Sequence, residues 1–233
     1  MSKRPGGEMA ARPLHFIWIA DCSGSMAGEK IQQLNFCIRE AIPEMQKTAD
    51  ENPNAQVLVR AVKFSNGAQW HISQPTEVKD FKWPDLVAES ETDMGQAMKL
   101  VADALKVGVL GDRGLPPVLV LLSDGHPTDD FSGGLKALMS EPWAQKAVRI
   151  GIAIGGDANH EPLQRFIGHN ELKPLQVRNP QAMMKAIKWA STAVLKSASS
   201  PASQLQGAAP AASNVPIPTP PVMTGPGSPL DVW

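Results

Sequence analysis

Apolar residues in the first 196 positions fall into short runs and longer stripes, and the two alternate along the chain. Four runs have the length and β-branched content of strands, at residues 14–20, 57–64, 118–122 and 148–154. The first, third and fourth are continuously apolar, which is typical of strands buried on both faces of a parallel sheet. These runs therefore predict the central strands of such a sheet.

The second run leads into a turn that predicts an antiparallel neighbour. Residues 65–68 are Ser-Asn-Gly-Ala, and another strand-like stretch follows at residues 69–72. Asn-Gly between two strand-like runs is the strongest short-range signal of a β-hairpin. Because a hairpin joins antiparallel strands, we expect one antiparallel strand at an edge of the sheet.

Between the runs, apolar residues recur at spacings of three and four, the pattern of amphipathic helices. Three such stripes are Ile31, Leu34, Ile38, Ile42 and Met45; Met94, Ala97, Met98, Val101 and Leu105; and Met183, Met184, Ile187 and Val194. The alternation predicts an α/β fold, with a doubly wound, Rossmann-like and mainly parallel sheet and helices on both faces. The predicted domain covers residues 14–196 and follows an N-terminal arm at residues 1–13.

Residues 197–233 have a different composition. From residue 198 onward the segment contains eight prolines, many alanines and serines, and Asp231 as its only charged side chain. Such a segment cannot bury enough apolar surface to offset its ordering entropy, so we expect it to be disordered or extended when alone. Apolar residues return near the end of this segment, and its last residue is Trp233. The tail is therefore either a peptide that docks on a partner or the dispensable end of a linker.

Charge and cysteine content exclude several classes of function. The formal net charge of −1 gives no basic excess for nucleic acid or for a membrane surface. The apolar run behind the positively charged N-terminus stops at Asp21 without a small-residue cleavage site, so it predicts a buried strand and not a secretory signal. Cys22 and Cys37 cannot build a disulfide framework. A reducing, cytoplasmic location is the expectation.

Candidate ligands for a metal ion follow two of the continuously apolar runs. Asp21, Ser23 and Ser25 come directly after the first run, and Asp124 comes after the run at residues 118–122. If the two strands are neighbours, both carboxylates converge at the carboxyl edge of the sheet, where open α/β sheets bind ligands. Two carboxylates in a crevice are costly unless a cation neutralises them. Hard oxygen donors favour Mg²⁺ or Mn²⁺ over zinc.

Together these residues resemble the metal-ion-dependent adhesion site of von Willebrand factor A-type (VWA) domains. The resemblance comprises Asp-x-Ser-x-Ser after the first strand, Asp-Gly after a later strand, and Thr-x-x-Gly-x-Ala before a helix. In this sequence the five positions are Asp21, Ser23, Ser25, Thr92 and Asp124. It covers about residues 14–196.

The resemblance implies a role for each of these residues. Ser23 and Ser25 would ligate the metal directly, Thr92 directly or through water, and Asp21 and Asp124 through waters. One metal position would stay open for a carboxylate of a partner protein. The implied function is metal-dependent protein binding and not catalysis.

A finer resemblance concerns the loop at residues 123–129, Ser-Asp-Gly-His-Pro-Thr-Asp. It is similar to the loop of VWA proteins from bacterial tellurite-resistance operons (TerY-like), which implies partners such as a 2C-type protein phosphatase and a kinase in a stress or signalling module. One alternative is an assembly or chaperone-type subunit that works with an AAA+ ATPase. Another is a metal-assisted hydrolase, which lacks a general base with a clear role.

Several residues near these motifs have simpler interpretations. Asp129 and Asp130 are expected to cap a helix from Phe131 onward, with solvated loop charges as the alternative. His126 is expected to be a surface residue and Asp93 a charge at a helix start. Cys22 should be a buried thiol and not a nucleophile.

Overall fold

The computed structural model describes residues 11–200 and 215–223, and within them the chain forms one six-stranded sheet. The strands are β1 Arg12–Asp21, β2 Ala55–Ser65, β3 Gly67–Glu77, β4 Val118–Ser123, β5 Val148–Ile154 and β6 Leu175–Val177. Their order is β3-β2-β1-β4-β5-β6, and each neighbouring pair is parallel except β2 with β3. The predicted α/β sheet with one antiparallel edge strand is confirmed.

Helices surround the sheet, as the alternation predicts. They are α1 Glu29–Asp50, α2 Met94–Ala104, α3 Val107–Leu110, α4 Phe131–Ser140, α5 Pro142–Lys146, α6 His160–Ile167, α7 Pro180–Trp189 and α8 Leu195–Ser199. A 3₁₀ turn, Gly24–Met26, follows β1, and a π-helical segment, Ala190–Val194, joins α7 to α8. Among the described residues, no helix is long and apolar enough to cross a membrane.

Alternate side chains of β1 pack in two separate apolar layers. Phe16 and Trp18 belong to the layer that contains residues of α1 and α7, whereas Ile17 and Ile19 belong to the layer with α2 and α4. Because both faces of this strand are covered, every position from Leu14 onward is buried. That double burial explains why the run is continuously apolar and not alternating.

Two features of the sheet differ from the sequence prediction. The sequence pattern does not predict β6, because a strand of three residues is too short to show a period. β1 begins at Arg12, before the predicted start of the domain, since Arg12 pairs with Ala55 and its guanidinium donates a 2.6 Å hydrogen bond to the Gly114 carbonyl. Residues 1–10 of the predicted arm and 201–214 and 224–233 of the tail lie outside the described residues.

His15 in β1 should make the stability of the domain depend on pH. It is buried, and burial, followed by the charge of Arg60, lowers its pKa to about 4 from 6.5. The unfolded chain therefore takes up a proton below pH 6.5 that the folded chain does not, so His15 by itself should lower the free energy of unfolding by about 1.5 kcal/mol between pH 6.5 and pH 5. Urea unfolding at several pH values measures this.

The matched variants for that experiment are His15→Gln and His160→Gln, since His160 is exposed. On acidification, the free energy of unfolding of wild type should fall by this amount relative to that of His15→Gln, whereas His160→Gln should follow wild type. Equal slopes in wild type and His15→Gln would contradict the role of His15.

Candidate metal centre

The predicted ligands lie at the carboxyl edge of the sheet, where β1 and β4 end side by side. The two strands are parallel, with Ala20 opposite Leu122, so that Asp21 and Asp124 leave the edge next to each other. Both residues are buried, with 0% and 2% of their surfaces exposed. The neighbouring strands thus bring together two carboxylates that are far apart in the sequence.

Asp21 is held in place by a serine to which the sequence pattern assigns no role. The Ser123 hydroxyl donates a 2.6 Å hydrogen bond to Asp21 Oδ2 and accepts one of 2.8 Å from the Gly125 amide, while the Ser23 amide donates to Asp21 Oδ1 at 2.8 Å. Despite these bonds, burial raises the pKa of Asp21 to about 6, and the charge of Asp124 adds to the effect. A buried carboxylate with this pKa favours a nearby cation.

The two predicted serine ligands face each other across the turn that follows β1. Ser23 Oγ and Ser25 Oγ are 3.0 Å apart, and Ser23 is buried whereas Ser25 is exposed. The 3₁₀ turn Gly24–Met26 brings the hydroxyls to the same side, and the Gly24 amide donates a 3.1 Å hydrogen bond to the Ser90 carbonyl. The first loop is therefore fixed to the segment that leads to Thr92.

Thr92 is buried just before α2 and is tied to the loop that follows β4. Its amide donates a 3.0 Å hydrogen bond to Thr128 Oγ1, and its carbonyl accepts one of 3.0 Å from the Thr128 amide. Thr128 thus links the second and third ligand-bearing loops. With the bonds of Ser123 to Asp21 and of Gly24 to Ser90, each loop is hydrogen-bonded to the other two.

The segment between β3 and Thr92 is clamped on α1 by one buried amide. Asn35 Oδ1 accepts hydrogen bonds from Trp83 Nε1 at 2.9 Å and from the Leu86 amide at 2.8 Å, and Asn35 Nδ2 donates to the Leu86 carbonyl at 2.9 Å. A buried amide with its oxygen fully used in this way positions a long loop that lacks helix or strand of its own. Thr92 therefore rests on a fixed support.

The residues present suit a bound cation. Asp124 Oδ1 is buried without a hydrogen-bond partner in the described structure, which is costly for a carboxylate oxygen unless a positive ion or water satisfies it. The surrounding donors are hydroxyl and carboxylate oxygens, the ligands that hard divalent ions prefer. In the part of the chain that is described, no group of three or more His, Cys, Asp and Glu side chains is placed to hold a metal.

Asp129 and Asp130 cap two different helices. Asp129 accepts hydrogen bonds of 2.8 Å from the amides of Gly95 and Gln96, at the start of α2. Asp130 accepts a 2.9 Å bond from the Gly133 amide and is the N-cap of α4. The prediction that these residues cap the helix from Phe131 onward is confirmed for Asp130 and wrong for Asp129, whose helix is distant in sequence and could not be identified from the pattern.

The other polar residues near the site also have structural partners. Asp93, at the N-cap position of α2, accepts a 2.7 Å hydrogen bond from the Gly67 amide and so ties the hairpin to this helix. His126 is exposed and its Nε2 lies 3.3 Å from the Asp157 carbonyl. Cys22 is a buried thiol whose pKa burial raises to about 12, so it is unreactive as a nucleophile.

A doubly wound, mainly parallel sheet with hydroxyl and carboxylate side chains at its carboxyl edge defines a Rossmann-like ligand-binding domain. Within that class, the chain belongs to the von Willebrand factor type A domain family, whose sequence profile matches residues 17–188. The predicted membership of this family is confirmed. Comparison with curated protein sequences gives no match.

Similar solved structures have the same fold at low sequence identity. They include the ArnB paralog VWA2 from Sulfolobus acidocaldarius (18% identity, TM-score 0.57), proximal thread matrix protein 1 from the mussel byssus with a zinc-occupied MIDAS motif (14%, 0.56), and the hypothetical protein BatB from Bacteroides thetaiotaomicron (13%, 0.55). The matches cover 77%, 80% and 76% of this chain and 45%, 46% and 96% of those chains. This chain spans about half the length of the first two structures.

Proposed function

We propose that this protein is a divalent-metal-dependent adaptor, which binds a partner protein at the carboxyl edge of its sheet. The metal would be held by the hydroxyls of Ser23, Ser25 and Thr92 and by the carboxylates of Asp21 and Asp124. When bound, the ion would supply a Lewis-acidic position for an Asp or Glu carboxylate from the partner.

The proposal rests on two buried carboxylates that lie side by side, one of which has an oxygen atom without a hydrogen-bond partner among the described residues. Within the described part of the chain, Asp124 Oδ1 has no hydrogen-bond partner, and Asp21 beside it has a raised pKa. Two buried like charges repel each other in the metal-free protein. Such a pair is therefore expected at a site where a bound cation neutralises it. The Ser123 hydroxyl fixes the orientation of Asp21, so the ion would find its oxygens already placed.

Mg²⁺ or Mn²⁺ is the proposed ion, because the donors are hard oxygen atoms. The mussel byssus protein is described with zinc in its MIDAS motif, so zinc belongs in any comparison of metals for this chain. We do not expect zinc to be preferred, since no thiolate or imidazole contributes to the five proposed ligands.

A groove of about 500 Å³ beside the metal centre offers a surface for the partner. It is lined by residues from the β4–α4 loop and from α6, and it begins at His126, two residues after Asp124. Arg165 lies along it, with its guanidinium 5.2 Å from the Phe131 ring and hydrogen-bonded to Ser132 at 2.7 Å. A partner segment that places its carboxylate on the metal would continue along this groove.

We propose a binding role and not an enzymatic one, because the two buried carboxylates would be committed to the metal and neither is left as a general base. The proposed setting is the cytoplasm, without nucleic acid or membrane as a partner. The likeness of residues 123–129 to the tellurite-resistance loop supports partners such as a 2C-type phosphatase and a kinase in a bacterial stress or signalling module.

Calorimetric titration of the purified protein with Mg²⁺, Mn²⁺ and Zn²⁺ tests the metal site. We expect one site for Mg²⁺ or Mn²⁺, and Ser23→Ala should weaken its affinity by at least about tenfold because a ligand hydroxyl is lost. Ser140→Ala is the matched control, since Ser140 is exposed at the far end of α4. Absence of binding, or equal affinities in both variants, would exclude the proposed ligand set.

The partner is tested by retention from native cell extract with Mg²⁺ or with EDTA. A protein retained by wild type with Mg²⁺, and lost with EDTA or Ser23→Ala, supports the adaptor. A protein retained equally under all conditions would place partner binding elsewhere on the molecule.

A further inference from the structure

Part of the proline-rich tail lies against the domain to which it is attached. Residues 215–223, Val-Pro-Ile-Pro-Thr-Pro-Pro-Val-Met, have neither helix nor strand; we call them the strap. Val215 is buried, and Ile217 and Met223 are partly buried against the same apolar layer that contains Leu172 and Leu195. The strap therefore occupies a groove formed by the domain.

The first residues of the strap are fixed more firmly than the middle. The Ser197 hydroxyl in α8 donates a hydrogen bond to the Pro216 carbonyl, next to buried Val215. Beneath residues 217–220 a crevice of about 200 Å³ remains, bordered by His169, Glu171 and Leu172. The groove is thus well filled at Val215 and incompletely filled at residues 217–220. Incomplete packing of this kind is expected for a segment that can dissociate from its groove.

The strap is recognised by its side chains and not by its backbone amides. Four of its nine residues are prolines, which have no N–H to donate and which fix φ near −65°. A proline-rich segment of this kind is already extended when free, so it loses little entropy on binding and presents alternate side chains to apolar pockets.

The groove lies far from the proposed metal centre. The residues that border the crevice precede β6, whereas Asp124 follows β4. Because β4 and β6 run in the same direction, the crevice lies at the amino ends of the parallel strands and Asp124 lies at their carboxyl ends. Val222 is exposed at 76% and Thr219 is also exposed, so the outer side of the strap is accessible. Binding at this groove therefore does not require the metal.

We propose that this groove is a binding site for proline-rich segments of a partner protein, and that the strap is its own intramolecular ligand. A ligand that is joined to its site by a short connection has an effective concentration on the order of 1 mM. The strap therefore competes with outside ligands, and a partner segment binds when it displaces the strap. The proposal does not depend on the metal-binding function.

Opening the groove in the full-length chain tests the proposal. Ile217→Asp places a charge on the partly buried side of the strap, whereas Val222→Asp places it on the exposed side. A fluorescent peptide of residues 213–224 should bind Ile217→Asp about tenfold more tightly than it binds wild type or Val222→Asp, because the groove is no longer occupied in cis. Fluorescence anisotropy measures the affinity.

Two further variants keep the test decisive. Ser197→Ala removes a hydrogen bond that the groove makes with the strap and would make equally with the peptide, so it should not increase peptide affinity. A peptide that itself carries Ile217→Asp should not bind the opened protein. Equal peptide affinities in wild type and Ile217→Asp would overturn the proposal, and so would equal binding of both peptides.

Discussion

Replacing Asp124 with Asn is expected to stabilise the metal-free protein while removing most of its affinity for Mg²⁺. The substitution preserves size but deletes one of two buried negative charges, and it leaves Asp21 without a like charge beside it. Relief of this repulsion should raise the free energy of unfolding in EDTA by about 1 kcal/mol. The same change should lower Mg²⁺ affinity roughly 100-fold, because the site loses one of the two carboxylate charges that attract the ion.

Thermal unfolding with and without Mg²⁺ measures both effects at once. Wild type should gain stability from saturating Mg²⁺, and Asp124→Asn should gain almost none. Asp157→Asn is the matched control, because its carboxylate lies at the same edge of the sheet but is 82% exposed; it should behave as wild type. A metal-free Asp124→Asn variant that is less stable than wild type would mean that the carboxylate serves the fold and not a cation.

Much of this edge could be predicted from the sequence, for a physical reason. Strands buried on both faces are continuously apolar, so the first polar residue after each run marks where the chain leaves the sheet. Asp21 stands at such a position, and Asp124 directly follows Ser123, which does. The parallel pairing of β1 with β4 brings the two carboxylates to one edge. The hairpin at Gly67 is equally local, since the turn and both strands lie within about twenty residues.

The supports of the site could not be predicted, because each joins residues that are far apart in the chain. Ser123 bonds Asp21 across 102 positions, and Asn35 bonds Leu86 across 51. A serine at the end of an apolar strand is the single local signal for the first of these contacts. The strap at residues 215–223 is similar: its composition fits a docking peptide or the end of a linker, and the groove that receives it is formed by tertiary packing.

Glycine is required where α2 and α4 approach each other most closely, and these helices support the second and third ligand-bearing loops. A Cβ atom on Gly134 would lie 2.2 Å from the Gly95 carbonyl oxygen and 2.6 Å from Gly95 Cα. On the other side, a Cβ on Gly95 would lie 2.4 Å from the Asp130 carbonyl oxygen. Both conflicts are with backbone, which cannot rotate away, so the two helices are held at a distance that only glycine permits.

Gly134→Ala should therefore destabilise the protein, although alanine is the better helix former. The gain in helix propensity is about 1 kcal/mol, but separating α2 from α4 should cost more, for a net loss of about 3 kcal/mol in the free energy of unfolding. That corresponds to a fall of roughly 6–12 °C in melting temperature for a domain of this size. Gly108→Ala is the control, because a Cβ there meets nothing within 4 Å, and it should be neutral or stabilising. If Gly134→Ala were as stable as Gly108→Ala, the helices would have room to separate, and the support that this contact gives to Thr92 and Asp124 would be weaker than the geometry implies.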